Sequence, residues 1–258
     1  MAIKIFIFFI ITLFIWGVFI EPNLLQVNKL QIKDNELKGL KVVFISDLHI
    51  KTFEKIRLKR IVNTINEQNA DFILLGGDYV SGHKKGQSMP IKQIAKELAL
   101  LKSKNGTFAV IGNHDGWQGK EEVIKEFKTS GINVLLNNNI NTCNVCIAGV
   151  DDLQTGNPDI KKALHNCNSP ILLLTHTPDI FPDIPQEVNL TLAGHLHAGQ
   201  IRIPFFGAMI LPSKYGKRYE KGLIIENNKK LFVTSGLGTS ILPLRFNCRP
   251  EIVVIDFI

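Results

Sequence analysis

Five of the seven histidines in this 258-residue chain lie immediately after apolar, strand-like runs: His49, His114, His176, His195 and His197. Three further donor side chains occupy the same kind of position: Asp47, Asp78 and Asn113. Imidazole, carboxylate and amide groups together suit Mn, Fe or Zn, and suit Mg less well because of the nitrogen donors. So many ligands exceed the need of one tetrahedral ion. The pattern therefore predicts two divalent metal ions that share a carboxylate.

The apolar runs that precede these residues predict a parallel sheet. Residues 41–46, 72–75 and 107–111 are unbroken apolar segments, as expected for strands covered on both faces. Residues 58–65 and 91–101 between them have the spacing of amphipathic helices, and a third helix is predicted near residues 120–129. Loops converge at the carboxyl ends of parallel strands, so we expect the donors to lie together. Gly112 is expected to give its turn backbone freedom.

The order of these motifs resembles the calcineurin-like metallophosphoesterase family. The motifs are Asp47-x-His49, Gly77-Asp78, Gly112-Asn113-His114-Asp115, His176 and Gly194-His195-x-His197. Flanking residues resemble a membrane-anchored bacterial subgroup with phosphodiesterases and a UDP-2,3-diacylglucosamine pyrophosphatase of lipid A synthesis. The resemblance implies an α/β (α+β) fold, a four-layer α-β-β-α sandwich over residues 40–258. Leu196 and Ala198 depart from the subgroup's usual last motif, but its ligands are intact.

The resemblance also implies a role for each motif residue. One ion would be held by Asp47, His49 and His197, the other by Asn113, His176 and His195, with Asp78 bridging. A hydroxide between two ions, with Mn preferred, would attack phosphorus without a covalent enzyme intermediate. His114 would stand beside the scissile phosphate and protonate the leaving oxygen, and Asp115 would orient His114 by accepting a ring N–H.

The N-terminal segment is the most apolar part of the chain. Residues 5–20 are apolar apart from Thr12 and Gly17, and Glu21-Pro22 ends the run. Sixteen helical residues span about 24 Å, less than the ~30 Å hydrocarbon core. A small-residue cleavage site is missing, so we expect residues 1–22 to form an uncleaved membrane anchor. The lysines that follow predict a cytoplasmic catalytic domain at the bacterial inner membrane.

Composition and the remaining motifs bear on the substrate. A net charge of +7 fits an anionic substrate, a lipid surface or simply a solvated lysine-rich face, and no dedicated nucleic-acid interface is expected. Lys217 and Arg218 are candidate substrate contacts; Arg245 would meet either a phosphate or a structural carboxylate. An anchor and apolar flanks favour a lipid-linked phosphodiester or pyrophosphate, with UDP-2,3-diacylglucosamine as the most specific version. The alternatives are a general phosphodiesterase or nuclease of the same fold, and a non-catalytic membrane-bound scaffold.

Four cysteines stand at positions 143, 146, 167 and 248. Cys143 and Cys146 have CxxC spacing, but no second pair follows at the spacing of a zinc site. We therefore expect reduced structural thiols rather than a metal site, a redox site or framework disulfides.

Overall fold

A computed structural model describes residues 1–258. The α-helices, numbered in chain order, are α1 (Ala2–Ile15), α2 (Lys55–Asn66), α3 (Ile91–Leu98), α4 (Asn113–Thr129) and α5 (Ile160–Ala163). The first seven strands are β1 (Gln26–Ile32), β2 (Lys41–Ile45), β3 (Phe72–Leu75), β4 (Thr107–Ala109), β5 (Asn133–Val134), β6 (Asn138–Thr142) and β7 (Val145–Gly149). The others are β8 (Ile171–Leu174), β9 (Leu190–Ala193), β10 (Arg202–Ile203), β11 (Gly207–Ala208), β12 (Gly222–Glu226), β13 (Lys229–Val233) and β14 (Glu251–Phe257).

Two six-stranded mixed sheets form the framework. The first has the order β1-β14-β2-β3-β4-β5, in which only the β14–β2 pair is antiparallel. The second has the order β12-β13-β9-β8-β7-β6, with antiparallel pairs at its two ends. Strands β10 and β11 form a separate short hairpin. The predicted parallel units β2, β3 and β4 are adjacent, so their carboxyl ends lie at one edge of the sheet.

The sheets pack as a four-layer α-β-β-α sandwich, as predicted. On β2, Val43 and Ile45 face the core beneath helices α2, α3 and α4, whereas Val42 and Phe44 face the second sheet. Strand β7 divides its side chains in the same way between the inter-sheet core and the core beneath α5. Because neighbouring side chains point to opposite faces and both faces are covered, these strands read as unbroken apolar runs.

The N-terminal helix is longer than the sequence indicates. Helix α1 continues through a π-turn (Trp16–Ile20) and a 3₁₀ turn (Glu21–Asn23). The 22-residue segment Ala2–Asn23 is long and apolar enough to cross a membrane, and 6% of its most apolar window is buried. At 1.5 Å per residue it is about 33 Å long, and the 14 residues of α1, none of which is buried in the domain, account for about 21 Å of that length.

The folded domain begins before residue 40. Strand β1 pairs in parallel with β14 over its whole length, from Gln26 opposite Glu251 to Ile32 opposite Phe257. The domain therefore includes an edge strand that lies before the predicted boundary. Sequence patterns miss this strand because most of its residues are only half-buried, and its partner β14 is at the other end of the chain.

The prediction of reduced thiols is wrong for two of the four cysteines. Cys146 on β7 and Cys167 form a disulfide with Cα atoms 5.6 Å apart, while Cys143 and Cys248 are free. Cys167 follows α5 and precedes β8, the neighbour of β7, so the chain reversal brings the two thiols together. The CxxC spacing of Cys143 and Cys146 therefore does not identify the partner of Cys146, which is Cys167.

Candidate dimetal centre

The predicted donors gather at the carboxyl edges of the two sheets, on turns with unusual backbone conformations. Five of them have positive φ: Asp47, His49, Asp78, His195 and His197, with φ between 40° and 69°. This left-handed region costs a residue with a side chain about 1–2 kcal/mol. Such strain persists only where surrounding contacts enforce it, and it is concentrated at functional sites. Here Asp47 N–H donates to Gly77 O at 2.9 Å, and His49 N–H donates to Asp78 O at 3.0 Å.

The donor atoms form two buried groups that contain only predicted ligands, and a third group joins His49 and Asp78 to His114. Asp47, His49 and His197 each bring one ligand atom within 4.8 Å of the others, and Asp78, His176 and His195 do the same. Asp78 connects the groups, because its Oδ2 lies 3.4 Å from His49 Nε2 and 3.3 Å from His176 Nε2. The arrangement has the form expected for two ions and a shared carboxylate.

The hydrogen bonds of His176 test whether a cation fits. Its Nδ1 lies 2.8 Å from Gly76 O, so a ring proton there donates to the carbonyl. Its Nε2 then presents a lone pair 3.0 Å from Asn113 Oδ1 and 3.3 Å from Asp78 Oδ2. These three atoms repel one another unless a proton or a metal cation lies between them. The donor set therefore fits a metal ion.

His49 presents a second lone pair in the same way. Its Nδ1 lies 3.2 Å from Val80 O, which leaves Nε2 facing His197 Nε2 at 3.1 Å. His197 Nε2 is 3.5 Å from Asp47 Oδ1, and His197 Nδ1 is buried without a hydrogen-bond partner. Two imidazole nitrogens and a carboxylate oxygen therefore converge here, and this is the nitrogen and oxygen chemistry of a second cation site.

Burial keeps most of these imidazoles in the form that binds metals. It lowers the pKa of His49 to about 3 and the pKa of His195 to about 4, and it holds the pKa of His197 well below its usual range. Taking a charged imidazolium out of water is unfavourable, so the neutral ring is retained. These three ligands therefore release no proton when a cation binds near neutral pH.

The carboxylates and His176 behave differently. Burial raises the pKa of Asp47 to about 6. Burial alone would also raise the pKa of Asp78, but His176 and His49 outweigh it and hold that pKa below its usual range. Burial opposes a charge on His176 as well, yet Asp78 and Asp47 raise its pKa well above the usual value. A proton on His176 thus supplies, without metal, positive charge that a cation would otherwise supply.

Asp115 does not contact the ring of His114. Its carboxylate accepts backbone N–H groups from Asp78 at 2.8 Å, Tyr79 at 2.9 Å, Val80 at 3.2 Å and Gly112 at 3.0 Å. Asp115 is the third residue of α4, where a carboxylate points back towards the free N–H groups of the helix start. The predicted role as orienter of His114 is therefore wrong, and Asp115 instead fixes the turn that carries Asp78.

His114 is oriented by backbone and hydroxyl groups. Its Nδ1 lies 2.8 Å from Gly82 O, and its Nε2 lies 3.3 Å from Ser240 Oγ. The ring stands edge-on to that of His49 with centroids 4.6 Å apart, and it borders an open cavity. Sequence reasoning missed both partners, since Gly82 acts through its carbonyl and Ser240 belongs to the second half of the chain.

Gly112 is required for space rather than for backbone freedom. Its φ of −99° and ψ of 174° are open to any residue. A methyl group at its Cα would overlap the carboxylate of Asp78. The expectation of special flexibility was therefore wrong, and close packing against Asp78 is the reason for glycine.

Comparison with known proteins agrees with this geometry. The family model for calcineurin-like phosphoesterases matches residues 40–199. The chain belongs to the calcineurin-like phosphoesterase family. It is 35% identical over 237 residues to the phosphodiesterase YaeI of Escherichia coli, covering 88% of this chain and 84% of that protein. It is 33% identical over 250 residues to the metallophosphoesterase YkuE of Bacillus subtilis, covering 92% and 86%.

A solved structure shares the fold. A dimetal phosphatase from Danio rerio aligns with a TM-score of 0.50 and 11% identity, covering 86% of this chain and all of that chain. That likeness supports the architecture alone. Family membership and the converging donors together make this protein a metal-dependent phosphoester hydrolase with a dimetal site.

The predicted substrate contacts of this phosphoesterase lie elsewhere. Arg245 is fully buried, and its guanidinium donates to the backbone carbonyls of Ser235, Gly236, Gly238 and Cys248 at 2.6–3.1 Å. Both alternatives for Arg245, a phosphate or a carboxylate partner, are therefore wrong, because its donors are used on the chain itself.

Lys217 and Arg218 also have partners within the protein. Lys217 Nζ donates to Phe206 O at 2.7 Å, and Arg218 is paired with Glu226 at 2.6 Å. Neither residue lines the cavity beside His114. The geometry thus gives no support to a substrate contact by either side chain.

The cavity beside the donors has a volume of about 350 Å³ and is lined by polar and by apolar side chains. The polar lining includes Asp78, Asn113, His114 and His195. The apolar lining includes Ile210, Pro212, Ile241 and Leu242. Gln154, which sequence reasoning missed, donates from Nε2 to His195 Nε2 at 3.1 Å. The signal that could have found it is its place just after β7, at the same sheet edge as the donors.

Proposed function

We propose that this phosphoesterase cleaves a phosphodiester or pyrophosphate bond in a lipid-linked substrate at a membrane surface. The observation that carries the proposal is that one cavity is lined both by metal donors and by the apolar side chains of Ile210, Ile241 and Leu242. A polar head containing phosphate suits the donors, and an apolar chain suits the apolar lining. The anchor helix would keep the enzyme where such substrates are found.

The metal ligands follow from the two donor groups. We assign Asp47, His49 and His197 to one ion and Asn113, His176 and His195 to the other, with Asp78 between them. Nitrogen and oxygen donors without sulfur favour Mn, although Fe and Zn share this preference. Bound there, the pair of ions would supply positive charge for the phosphoryl oxygens and lower the pKa of water.

The chain itself contributes positioning and a proton. When His114 is protonated, its Nε2 can give a proton to the leaving oxygen, while the bond from Nδ1 to Gly82 O fixes the ring plane. Asp115 holds the Asp78 turn, and Gln154 lies close enough to the donors to bind a phosphoryl oxygen. The apolar wall excludes water from one side of the substrate.

The disulfide supports a proposal for the side of the membrane on which the catalytic domain lies. Disulfides persist in oxidising compartments, so the Cys146–Cys167 bond favours a catalytic domain outside the cytoplasm. The lysine bias favoured the opposite side, but large domains cross membranes largely regardless of charge. We therefore propose an external domain, which makes UDP-2,3-diacylglucosamine, a substrate requiring a cytoplasmic domain, a less suitable choice than an outer-leaflet lipid phosphodiester.

Two cell-level measurements test the anchor and its orientation. Alkaline carbonate should leave the protein in the membrane fraction, since an apolar helix such as Ala2–Asn23 is held by the hydrocarbon of the bilayer and not by charge. Cells are quenched in acid to preserve the thiol state, and alkylation in denaturant without reductant should then modify two thiols per chain and not four. Release by carbonate would contradict the anchor. Four reactive thiols would contradict the external domain and favour a cytoplasmic one.

The activity test uses the full chain in lipid nanodiscs, stripped with EDTA and reloaded with Mn. Three kinds of substrate are assayed in parallel, with Asp78→Asn as the matched inactive variant: bis-p-nitrophenyl phosphate, lipids (phosphatidylglycerol as a lipid phosphodiester, and UDP-2,3-diacylglucosamine) and single-stranded DNA. We expect Mn-dependent hydrolysis of the phosphodiester and its loss in the variant. A metal-loaded protein that hydrolyses none of the three would contradict the proposal, and selective cleavage of DNA would identify a nuclease.

A further inference from the structure

Six apolar side chains near the active-site cavity are unusually exposed. They are Phe205, Phe206, Met209, Ile210, Ile241 and Leu242, and we call them the apolar rim. Phe205 is fully exposed and Ile241 is 91% exposed. Contiguous apolar patches of this kind mark interaction surfaces in soluble domains. The rim comes from two segments, the β10–β11 hairpin with the residues that follow it and the loop after Gly238.

The end of the anchor helix shows where the membrane surface lies. Residues up to Ile15 make no buried contact with the domain, whereas Gly17 and Glu21 are buried in it. Gly17 O accepts the backbone N–H of Arg245 at 2.9 Å, and Glu21 accepts that of Cys248. Trp16, at this junction, is the residue type that favours the membrane interface. The bilayer surface therefore passes close to residues 16–21.

Both rim segments adjoin this junction. Pro204, at the start of the hairpin turn, lines a cleft together with Trp16 and Glu21. Pro243, directly after the second segment, lines another with Val18 of the helix. A side chain added at Gly17 would touch Leu244, two residues beyond Leu242. The rim is therefore continuous with the part of the chain that enters the membrane.

Charge and backbone conformation agree with a lipid partner. Lys221 and Arg249 line the same cleft as Trp16, and basic side chains attract anionic headgroups. Phe205 and Ile241 have φ of 70° and 62°, a conformation that is costly for bulky and β-branched residues. Lys217 Nζ holds the hairpin turn by donating to Phe206 O. The backbone strain at Phe205 and Ile241 directs their apolar side chains outward, and burial of those side chains in a bilayer would offset its cost.

We propose that the apolar rim inserts into the bilayer beside the anchor helix and sets the mouth of the active-site cavity on the headgroups. Ile210, Ile241 and Leu242 belong both to the rim and to the cavity wall, so a lipid could enter without leaving the interface. The entry of a lipid substrate rests on the proposed function, whereas insertion of the apolar rim into the bilayer can be measured separately.

The test places a nitroxide spin label on the full chain in phosphatidylglycerol–phosphatidylethanolamine nanodiscs. Phe206→Cys is labelled in a Cys143→Ser background, which removes the exposed free thiol. The control is Leu100→Cys, an exposed apolar position whose carbonyl is bound by Asn66, near the opposite edge of the first sheet. Power saturation then compares access of oxygen with access of a neutral nickel chelate at each label.

We expect the ratio of oxygen to nickel access to be about tenfold higher at position 206, because hydrocarbon excludes the polar chelate. Equal ratios at positions 206 and 100 would overturn the proposal. Dipolar broadening between labels at position 206 would assign the rim to a second copy of the chain and overturn it as well. Hydrolysis of bis-p-nitrophenyl phosphate by the same samples reports on the proposed function independently of label depth.

Discussion

The carboxylate of Asp115 accepts the backbone N–H of Asp78 at 2.8 Å, although the two residues are 37 positions apart in the sequence. It also accepts the backbone N–H of Tyr79, which is 36 positions away. Both aspartates are buried. Asp115 thereby fixes the turn that carries Asp78. The carboxylate of Asp78 lies between the two donor groups. A residue at the start of α4 thus positions a metal ligand at the end of β3.

Replacing Asp115 should weaken metal binding without acting on proton transfer. In Asp115→Asn the amide nitrogen would face backbone N–H donors, and each unsatisfied buried group costs about 1–3 kcal/mol. We expect a lower melting temperature and a metal affinity reduced by about 10–100-fold. Excess Mn should restore most of the turnover. Metal content by mass spectrometry and calorimetry measure both effects.

Asp159→Asn is the matched control for that substitution. Asp159 caps α5 by accepting the N–H of Lys162, and asparagine caps helices about as well. We expect its melting temperature and metal content to equal those of the parent. If Asp115→Asn kept full metal content and stability but lost turnover, a direct catalytic role would replace the positional one.

Removing the imidazole of His114 should separate catalysis from metal binding. In His114→Ala both donor groups keep their ligands, so metal content should persist while kcat falls by about 10²–10⁴-fold. His165→Ala, at an exposed position, serves as the control and should leave kcat unchanged. Loss of both ions from His114→Ala would show that His114 is a ligand.

Metal affinity should increase with pH across the weakly acidic range. In the metal-free chain burial raises the pKa of Asp47 to about 6, and Asp78 raises that of His176 further. Below about pH 6 an entering cation must displace protons from both groups, so affinity falls by up to about tenfold per pH unit for each proton. Titration calorimetry between pH 5 and 7.5 measures this. An affinity independent of pH would contradict the assignment of Asp47 and His176 as ligands.

Arg245 should contribute to stability and not to substrate affinity. Arg245→Met leaves buried carbonyls of residues 235, 236 and 238 without their donor, at a cost of about 3 kcal/mol or more. Arg218→Met breaks a half-exposed ion pair, which solvent screens, and should lower the free energy of unfolding far less. Urea unfolding compares the two variants. A raised KM for Arg245→Met with unchanged stability would instead support a contact between Arg245 and the substrate phosphate.

The sequence by itself determined the α/β order, the layer architecture through its family resemblance, and the set of donors that converge. It could do so because unbroken apolar runs specify strands covered on both faces, and the carboxyl ends of parallel strands meet at one edge. Asp47, Asp78 and Asn113 each follow such a strand within a few residues. Local pattern was therefore sufficient to bring them together.

Only the tertiary structure decided the partners that lie far apart along the chain. Glu21 meets Cys248 across 227 residues, β1 completes a sheet through β14, and Arg245 donates to carbonyls of a loop it must first approach. Cys146 pairs with Cys167 rather than with its motif neighbour. Each of these contacts depends on how layers pack and on which buried polar groups still need a partner. Residue type and local spacing do not reveal these long-range partners, because the contacts form only when the layers assemble.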